Sequence, residues 1–436
     1  MNTDELYKIY LKNREVCTDT RQIKPGCIYF ALKGDNFDGN AFAENALEQG
    51  ASFAVIDDEK YAKDERFILV YDVLIALQNL AKYHREQLKI PVVGITGSNG
   101  KTTTKELLYS VLSQHCRTHA TKGNLNNHIG VPLTILAIPE NTDIAIIEMG
   151  ANHQKEIEFL CSISQPSHGL ITNIGKAHLE GFGGIEGVKK GKGELYDYLK
   201  KTDGTVFVNS ENYLLVDLLR DKHVHKIVFY GKSADNFISG NLIMESPYLE
   251  VGWHREAMEF DDKTHTCKSN LSGIYNLENI LSAICIGTFF KLDPEQVNRG
   301  IEVYQPQNFR SQVKKTDSNT LICDYYNANP SSMQVAIDNL KSLKADHKVL
   351  ILADMFEMGK DAEKEHHLIA EKALHMEADL CIFIGEEFYK FKDESAQFYK
   401  TTKEAFDALK ENPIKNSTIL IKGSRGMKLE SLVELL

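Results

Sequence analysis

Apolar residues along the chain fall into short clusters that predict an α/β protein. Within residues 1–88, short apolar strands at 27–32 and 53–56 precede a helical pattern near 74–81. Pro91 follows soon after this pattern. Because helices rarely continue into a proline, we predict that a first domain ends just before it.

The middle third of the chain shows the clearest alternation of strand and helix patterns. In order, the pattern predicts strand 92–96, helix 102–114, strand 144–148, helix 154–163, strand 170–174, helix 188–199 and strand 206–209. Strands that alternate with helices imply right-handed crossovers and a mostly parallel sheet. Residues 236–272 break this rhythm with short strand-like pieces, which predict a small antiparallel edge.

A second alternation follows a predicted helix near 277–290 and a hinge-like segment at 304–308. The predicted strands are 320–323, 349–353, 380–384 and 418–421, with helices between them. A chain of 436 residues is long enough for about three domains. We therefore predict three α/β domains, at 1–88, 89–303 and 304–436.

Composition and charge narrow the classes of function. The chain has 42% hydrophobic and 25% charged residues, which is ordinary for a globular protein. With 50 basic against 61 acidic residues its net charge is −11, so it is a poor candidate for binding nucleic acid. No apolar run reaches about 18 residues and the N-terminus is polar, so we expect no membrane insertion, no signal peptide and a cytoplasmic protein.

The cysteines predict neither a zinc site nor a redox site. There are eight, and no pair has CxxC spacing. We expect reduced thiols that are mostly buried.

The strongest chemical signal is a glycine-rich segment, GITGSNGKTTT, which begins at Gly94. It follows a predicted strand and opens a predicted helix, where backbone N–H groups can surround a phosphate. Lys101 would reach the β- and γ-phosphates, and the Thr102 hydroxyl would bind Mg²⁺. Ile95 replaces the first glycine of the usual GxxxxGK[ST] pattern, so only its later part is matched. The alternative is a glycine-rich turn that binds nothing.

Two further residues, Glu148 and His178, are candidates for metal chemistry. Glu148 ends an apolar strand at the sheet edge where ligands bind, and carboxylates suit Mg²⁺. His178 follows the next strand, and Lys192 lies in a lysine-rich helix. From spacing alone, Glu148 could instead cap the following turn. A lone histidine such as His178 is more often structural than a metal ligand, and Lys192 would be a solvated lysine on a helix face.

Motifs spread over nearly the whole chain resemble those of the Mur ligases of peptidoglycan synthesis. They are TDTR at 18–21, FALKG at 30–34, GSNGKTTT at 97–104, GNLNN at 123–127, EMGAN at 148–152, NIGKAHLEGF at 173–182, YNANP at 326–330 and KGSRGM at 422–427. Within the family, they are most similar to the ligases that add D-alanyl-D-alanine to UDP-N-acetylmuramoyl-tripeptide. One motif would be weak evidence, but their joint order is specific.

The resemblance implies a fold and a chemistry. The expected fold has a small N-terminal α/β domain for the UDP end and a central P-loop domain with a doubly wound, mostly parallel sheet. A Rossmann-like C-terminal domain would close over ATP and the amine substrate. The expected reaction is ATP-dependent amide formation through an acyl phosphate, with two Mg²⁺ ions, in a monomer. His178 would bind the second ion, and Lys192 would be carbamylated by CO₂.

The resemblance also assigns the site residues. Those expected to act in catalysis are Lys101, Glu148, His178 and Lys192, and those expected to bind metal are Thr102, Glu148, His178 and Lys192. Those expected to bind ATP are Gly97, Ser98, Asn99, Gly100, Lys101, Thr102, Thr103, Asn276, Arg310, Asp324 and Asn327. The substrate contacts would be Thr20, Arg21 and Lys33 at the UDP end, Asn124, Asn126 and Asn127 at the muramoyl peptide, and Ser424 and Arg425 at the incoming dipeptide or the substrate peptide.

Departures from the family pattern are few. Tyr275 replaces a frequent histidine before Asn276, Ala353 replaces a glycine before an Asp-Met pair, and Asn40 replaces a histidine in the N-terminal domain. None of these changes removes a phosphate or metal ligand, although the last weakens the case for a UDP contact at position 40.

Two alternatives remain open at this point. One is another ligase of the same superfamily, similar to folylpolyglutamate synthase or cyanophycin synthetase. The other is a non-catalytic module that binds a nucleotide in a cell-wall assembly complex. The sequence also leaves open whether the third residue of the acceptor peptide is lysine or diaminopimelate.

Overall fold

Parallel strand pairs dominate the sheets of the computed structural model, which describes residues 1–245, 248–255, 264–307 and 309–436. Helices cover the faces of these sheets, so strands such as Val92–Thr96 and Ile144–Glu148 are buried along their whole length. The predicted α/β class is therefore confirmed.

The N-terminal part forms a small parallel sheet. Its strands, in order across the sheet, are Val16–Cys17, Ile28–Phe30, Phe53–Ile56 and Phe67–Leu69, with a short hairpin of Lys33–Gly34 and Phe37–Asp38. Its helices are Thr3–Asn13, Ala43–Glu48 and Val73–Gln87. The last of these is capped by Asp72, whose carboxylate accepts a hydrogen bond from the backbone N–H of Ile75 at 2.7 Å.

The central part forms one large sheet. Across the sheet its strands are His265–Lys268, Glu250–Arg255, Ile238–Met244, Ile227–Gly231, Thr205–Asn209, His168–Ile171, Val92–Thr96, Ile144–Glu148 and Thr118–Ala120. The pairs among the first three are antiparallel and the others are parallel. This confirms the predicted antiparallel edge for its described residues; 246–247 and 256–263 lie outside them.

Helices surround the central sheet. They are Lys101–Leu112, Gly130–Leu136, Glu156–Ser164, Leu179–Phe182, Ile185–Lys201, Tyr213–Lys222, Asn276–Phe289 and Pro294–Val303. The sequence analysis missed Pro294–Val303, although Asp293 and Gln296 form a capping box at its start. The hinge-like segment follows this helix, and its last residue, Asn308, lies outside the described residues.

The strand predicted at 170–174 starts and ends earlier than expected, at His168–Ile171. The residues after it bend towards the glycine-rich loop. The Thr172 hydroxyl donates to the Asn99 carbonyl oxygen at 2.6 Å, and the Asn173 carbonyl oxygen accepts from the Ser98 N–H at 3.0 Å. The Thr172 N–H still donates to the Thr96 carbonyl oxygen at 2.9 Å, so the chain leaves the sheet at the residue where its loop contacts begin.

The C-terminal part has its own sheet. In order, its strands are Gln312–Lys315, Thr320–Asp324, Thr418–Lys422, Lys348–Ala353, Leu380–Ile384 and Gln397–Tyr399, and only the first pair is antiparallel. The helices are Pro330–Ser342, Ala362–Leu374, Glu386–Tyr389 and Thr402–Glu411.

Two further expectations concern the chain as a whole. The cysteines are free thiols, and all are buried except Cys17 and Cys116, which are half-buried. Among the helices that the structure describes, none combines the length and apolar character that a membrane crossing requires.

Candidate active site

A cavity of about 750 Å³ lies where the glycine-rich loop faces the start of the C-terminal part. On one side it is lined by residues 98–103 and Glu148, and on the other by Arg310 and Asp324. Strands Val92–Thr96 and Ile144–Glu148 are parallel neighbours, so their carboxyl ends open into the same crevice.

The glycine-rich loop has the backbone that its sequence predicts. Gly97 and Gly100 have φ of 144° and 79°, which residues with side chains rarely adopt. A Cβ at position 97 would collide with the Thr172 hydroxyl. Helix Lys101–Leu112 begins directly after this turn, so its free N–H groups face the cavity.

Lys101 folds back over its own loop. Its Nζ donates to the carbonyl oxygens of Gly97 at 2.6 Å and Ser98 at 3.3 Å. Burial lowers the pKa of Lys101 to about 8, an effect that the Glu148 carboxylate opposes and nearby Arg310 adds to. A bound phosphate would supply the anion that this ammonium lacks.

Thr102 and Glu148 form a site that suits a hard cation. The Thr102 hydroxyl donates to Glu148 Oε1 at 3.2 Å, and the Asn126 amide donates to the same oxygen at 2.8 Å. The other oxygen, Oε2, is buried and has no hydrogen-bond partner among the described residues; Lys105 Nζ lies 3.9 Å away. A free carboxylate oxygen beside a hydroxyl fits Mg²⁺.

A protein-only metal cage is absent from the described part of the chain, where no cluster of three or more His, Cys, Asp or Glu side chains could hold a metal. Phosphate oxygens and water would therefore have to complete the coordination, which is usual for Mg²⁺ at nucleotide sites.

His178 lines the same cavity but bonds across to the C-terminal part. Its Nδ1 is hydrogen-bonded to the Glu357 carboxylate, and this contact lowers the pKa of Glu357. His178 has φ of 52°, in the left-handed region. The ring is therefore held at the cavity by a partner on the opposite side.

Lys192 lies behind the cavity wall and is 1% exposed. Its Nζ is 3.1 Å from the carbonyl oxygen of Ala151 and 5.1 Å from the ring centre of Phe182. Burial, together with the positive charge of Lys101, holds its pKa well below the usual range for lysine. The surroundings of this amine therefore disfavour its charged form.

Across the cavity, Asp324 ends strand Thr320–Asp324 and is fixed from two sides. Lys422 Nζ lies 2.6 Å from Asp324 Oδ2, and the Ser311 N–H donates to Oδ1 at 3.2 Å. Asn327 also lines the cavity, and its carbonyl oxygen lies 3.4 Å from Lys422 Nζ. The buried Lys422 was not singled out from sequence, although it opens a quoted motif.

Asn276 lines the cavity, yet its amide is committed to a buried network. Its Nδ2 donates to the Ser272 carbonyl oxygen at 2.7 Å, and its Oδ1 accepts from Asn279 at 2.9 Å. Asn279 in turn accepts from Thr104 at 3.0 Å. The side chain of Asn276, which is predicted to bind ATP, thus supports the Asn279–Thr104 contact that joins two helices.

The predicted substrate residues are distributed unevenly. Asn124, Asn126 and Asn127 line the cavity, whereas Thr20, Arg21, Lys33, Ser424 and Arg425 do not. At the UDP end, Arg21 forms a bidentate pair with Asp19, and Lys33 Nζ lies 2.7 Å from Asp57. These assignments stay predictions.

Two of the other predicted substrate residues already have partners within the protein. The buried Ser424 hydroxyl accepts from the Phe356 N–H at 2.9 Å, whereas Arg425 is exposed and its guanidinium lies over the ring of Tyr326. Buried Asn40, where the family usually has histidine, donates to Asp38 and Asp57, each at 2.8 Å, so its amide has a structural role.

Comparisons with known proteins show which family the chain is similar to. Residues 14–96 match the family described as Mur ligase, catalytic domain; 95–287 match the Mur ligase middle domain; and 309–425 match the Mur ligase glutamate ligase domain. The UDP-N-acetylmuramoyl-tripeptide–D-alanyl-D-alanine ligase of Bacillus subtilis (strain 168) is 36% identical, with 96% of this chain and 92% of that protein covered.

Solved structures of Mur ligases are also similar to this chain. The crystal structure of MurF from Acinetobacter baumannii has a TM-score of 0.85 at 28% identity and covers 96% of this chain and 92% of that one. MurF ligase from Thermotoga maritima in complex with ADP has a TM-score of 0.83 at 25% identity and covers 98% and 97%. The predicted resemblance is confirmed: the chain belongs to the Mur ligase family.

Proposed function

We propose that the protein uses ATP to join D-alanyl-D-alanine to UDP-N-acetylmuramoyl-tripeptide in peptidoglycan precursor synthesis. One observation carries the proposal: the phosphate-binding loop, the Thr102–Glu148 pair and Arg310 meet in a single cavity. Relatives that bear this activity in their names match the chain over nearly its full length.

The chemistry explains why cationic residues are needed. A carboxylate does not react with an amine at neutral pH, so the terminal carboxylate of the tripeptide first takes the γ-phosphoryl group of ATP and ADP leaves. The dipeptide amine attacks the resulting acyl phosphate, and the tetrahedral intermediate expels phosphate. Lys101 and Arg310 offset the repulsion between the two reacting anions. Thr102, Glu148 and His178 would hold Mg²⁺, with two ions expected, and these would supply further positive charge.

Lys192 has the properties that carbamylation requires. Only a neutral amine attacks CO₂, and the attack forms an N–C bond and releases a proton. Burial favours that neutral form in Lys192. We propose that carbamylation converts this neutral amine into an anion beside the proposed magnesium site.

The remaining assignments are part of the same proposal. The N-terminal domain, residues 1–88, would hold the UDP end through Thr20, Arg21 and Lys33. The central domain, 89–303, would hold ATP and the muramoyl peptide, and the C-terminal domain, 304–436, would close over them and exclude water from the acyl phosphate. The protein would act as a monomer in the cytoplasm.

The decisive experiment is mass-spectrometric product analysis. The protein is incubated with ATP, Mg²⁺, D-alanyl-D-alanine and UDP-muramoyl-tripeptides that contain either lysine or diaminopimelate. We expect ADP, phosphate and one pentapeptide product, and the preferred tripeptide identifies the third residue. Lys101→Ala should abolish the product while the melting temperature is retained, and Lys82→Ala, at an exposed lysine, should behave as wild type.

Other outcomes would point to the alternatives. Product formed with glutamate instead of the dipeptide would favour a folylpolyglutamate synthase-like enzyme. If ADP never forms in the presence of both peptide partners, the proposed chemistry is wrong and a non-catalytic nucleotide-binding module becomes the better explanation.

A further inference from the structure

Two arginines that lie far apart in sequence share one aromatic ring. The Cζ of Arg310 lies 3.8 Å from the ring centre of Tyr326, and the Cζ of Arg425 lies 5.1 Å from it. Tyr326 lines the ATP cavity together with Arg310. A guanidinium within about 6 Å of an aromatic centre is attracted to the ring face.

The residues on either side of Arg310 contact the two residues that precede Tyr326. Phe309 stacks on Tyr325 with ring centres 4.8 Å apart, and the Ser311 N–H donates to Asp324 at 3.2 Å. Phe309 and Ser311 have φ of 55° and 52°, a backbone that costs energy without glycine. These contacts hold Arg310 over the ring.

Both guanidiniums are available to bind an anion. Within the described parts of the chain, neither Arg310 nor Arg425 forms an ion pair with an acid. The Nε of Arg310 is buried and has no hydrogen-bond partner there. A ring holds a guanidinium by its face and leaves the N–H groups at its edge free for an anion.

We propose that Tyr326 is a positioning residue that holds Arg310 for the phosphates of ATP and Arg425 for the carboxylate of the incoming dipeptide. The inference rests on the proposed function, because it assigns the two anions to its two substrates. Because one ring fixes both arginines, it also fixes the distance between the two anions that they bind. These are the phosphates of ATP, at Arg310, and the carboxylate of the dipeptide, at Arg425.

The test compares two substitutions at Tyr326. Tyr326→Phe keeps the ring and removes the hydroxyl, whereas Tyr326→Leu removes the ring and keeps an apolar side chain. For Tyr326→Leu we expect the Kd for a non-hydrolysable ATP analogue and the KM for D-alanyl-D-alanine each to rise about fivefold or more, or about 1 kcal/mol. Tyr326→Phe should stay within about twofold of wild type for both, and melting temperatures show that the variants are folded.

Double variants separate positioning from direct contact with a substrate. In an Arg425→Ala background, Tyr326→Leu should no longer raise the KM for the dipeptide, and in an Arg310→Ala background it should no longer weaken nucleotide binding. Additive effects, or unchanged binding in Tyr326→Leu, would overturn the proposal.

The nucleotide measurement needs no ligation, so it tests the Arg310 half of the inference separately from the proposed function. A wild-type enzyme that ignores D-alanyl-D-alanine would refute the proposed function and the Arg425 half with it. An active wild type with a normal Tyr326→Leu variant would refute the inference alone.

Discussion

Lys192 shows how strongly one side chain depends on its surroundings. The same residue on an exposed helix face would be an ordinary cation, but here it is 1% exposed and its pKa is lowered by burial and by Lys101. Its closest polar contact is the carbonyl oxygen of Ala151. The environment thus disfavours the charged form of the amine, in a place where a cation would repel the proposed Mg²⁺.

A rescue experiment tests the proposed carbamate. Lys192→Ala should lose most of its ligase activity because the anion beside the metal is gone, and added short carboxylates such as acetate should restore part of it. ADP formation is the measurement. Lys101→Ala, which loses a cation instead, should not respond to carboxylates. If Lys192→Ala folds and binds ATP but stays unresponsive, the carbamate assignment fails.

At the scale of secondary-structure elements, Asn329 joins a helix to the phosphate loop. Its Oδ1 accepts from the Ser332 N–H at 2.9 Å at the start of helix Pro330–Ser342, and its Nδ2 donates to Asn99 Oδ1 at 2.7 Å. One amide therefore caps the helix and contacts the loop that would bind ATP.

Two substitutions separate these tasks. Asn329→Ala should cost about 1 kcal/mol of stability through the lost cap, whereas Asn329→Ser keeps a capping oxygen and should cost less. Both lose the contact to Asn99, so both should raise the KM for ATP. Melting temperatures and ATP titrations are the measurements. A Ser variant with wild-type ATP dependence would show that the Asn99 contact is not needed.

The packing of the first helix against Val73–Gln87 buries a histidine, from which we predict that acid destabilises the protein. His84 is buried, its Nδ1 lies 3.2 Å from the Tyr7 hydroxyl, and its Nε2 has no hydrogen-bond partner in the described structure. Burial, and to a smaller extent Arg14, lowers the pKa of His84 to about 4.

The sign of the effect follows from proton linkage. Between about pH 6.5 and pH 4 the unfolded chain binds a proton at His84 that the folded protein excludes, so stability falls as the pH falls. The full loss is about 3 kcal/mol below pH 4. His84→Gln should therefore show a smaller drop in melting temperature between pH 7 and pH 5, and the exposed His375→Gln should drop as wild type does. Equal drops for all three proteins would contradict this.

On the scale of the whole molecule, ion pairs join the central and C-terminal parts. Lys176 Nζ lies 2.5 Å from Glu365 Oε1, and the Lys176 N–H donates to the Ser331 hydroxyl at 2.9 Å. The Glu365 carboxylate is almost fully buried, and its second oxygen has no hydrogen-bond partner in the described structure. The Glu365 carboxylate thus takes its ion-pair partner from the central part of the molecule.

Breaking the Lys176–Glu365 ion pair should favour an arrangement in which the central and C-terminal parts lie further apart. Lys176→Met leaves a buried carboxylate without its cation, which should cost about 1–2 kcal/mol because Lys176 itself is partly exposed. We expect a larger radius of gyration in small-angle scattering with a bound ATP analogue, and a higher KM for ATP. Adding Glu365→Gln should recover part of both. An unchanged radius in Lys176→Met would argue against a closing role.

Local sequence determined the α/β class, the positions of most central strands and the phosphate loop. The predicted bounds of strands 92–96 and 144–148 are the observed ones. A short apolar run between turn-forming residues indicates a buried strand, and this pattern depends only on residues that are close in sequence. The loop was predicted for the same reason, since Gly97, Gly100 and Lys101 act through their own short segment of backbone.

Tertiary structure decided which side chains meet. The folded arrangement brings Asn126 to Glu148, Lys422 to Asp324 and Thr104 to Asn279, and it buries Lys192. Charge state and hydrogen-bond partners follow from distance and burial, which depend on how distant segments pack. The periodicity of the sequence does not predict charge states or hydrogen-bond partners, so only the folded structure reveals them.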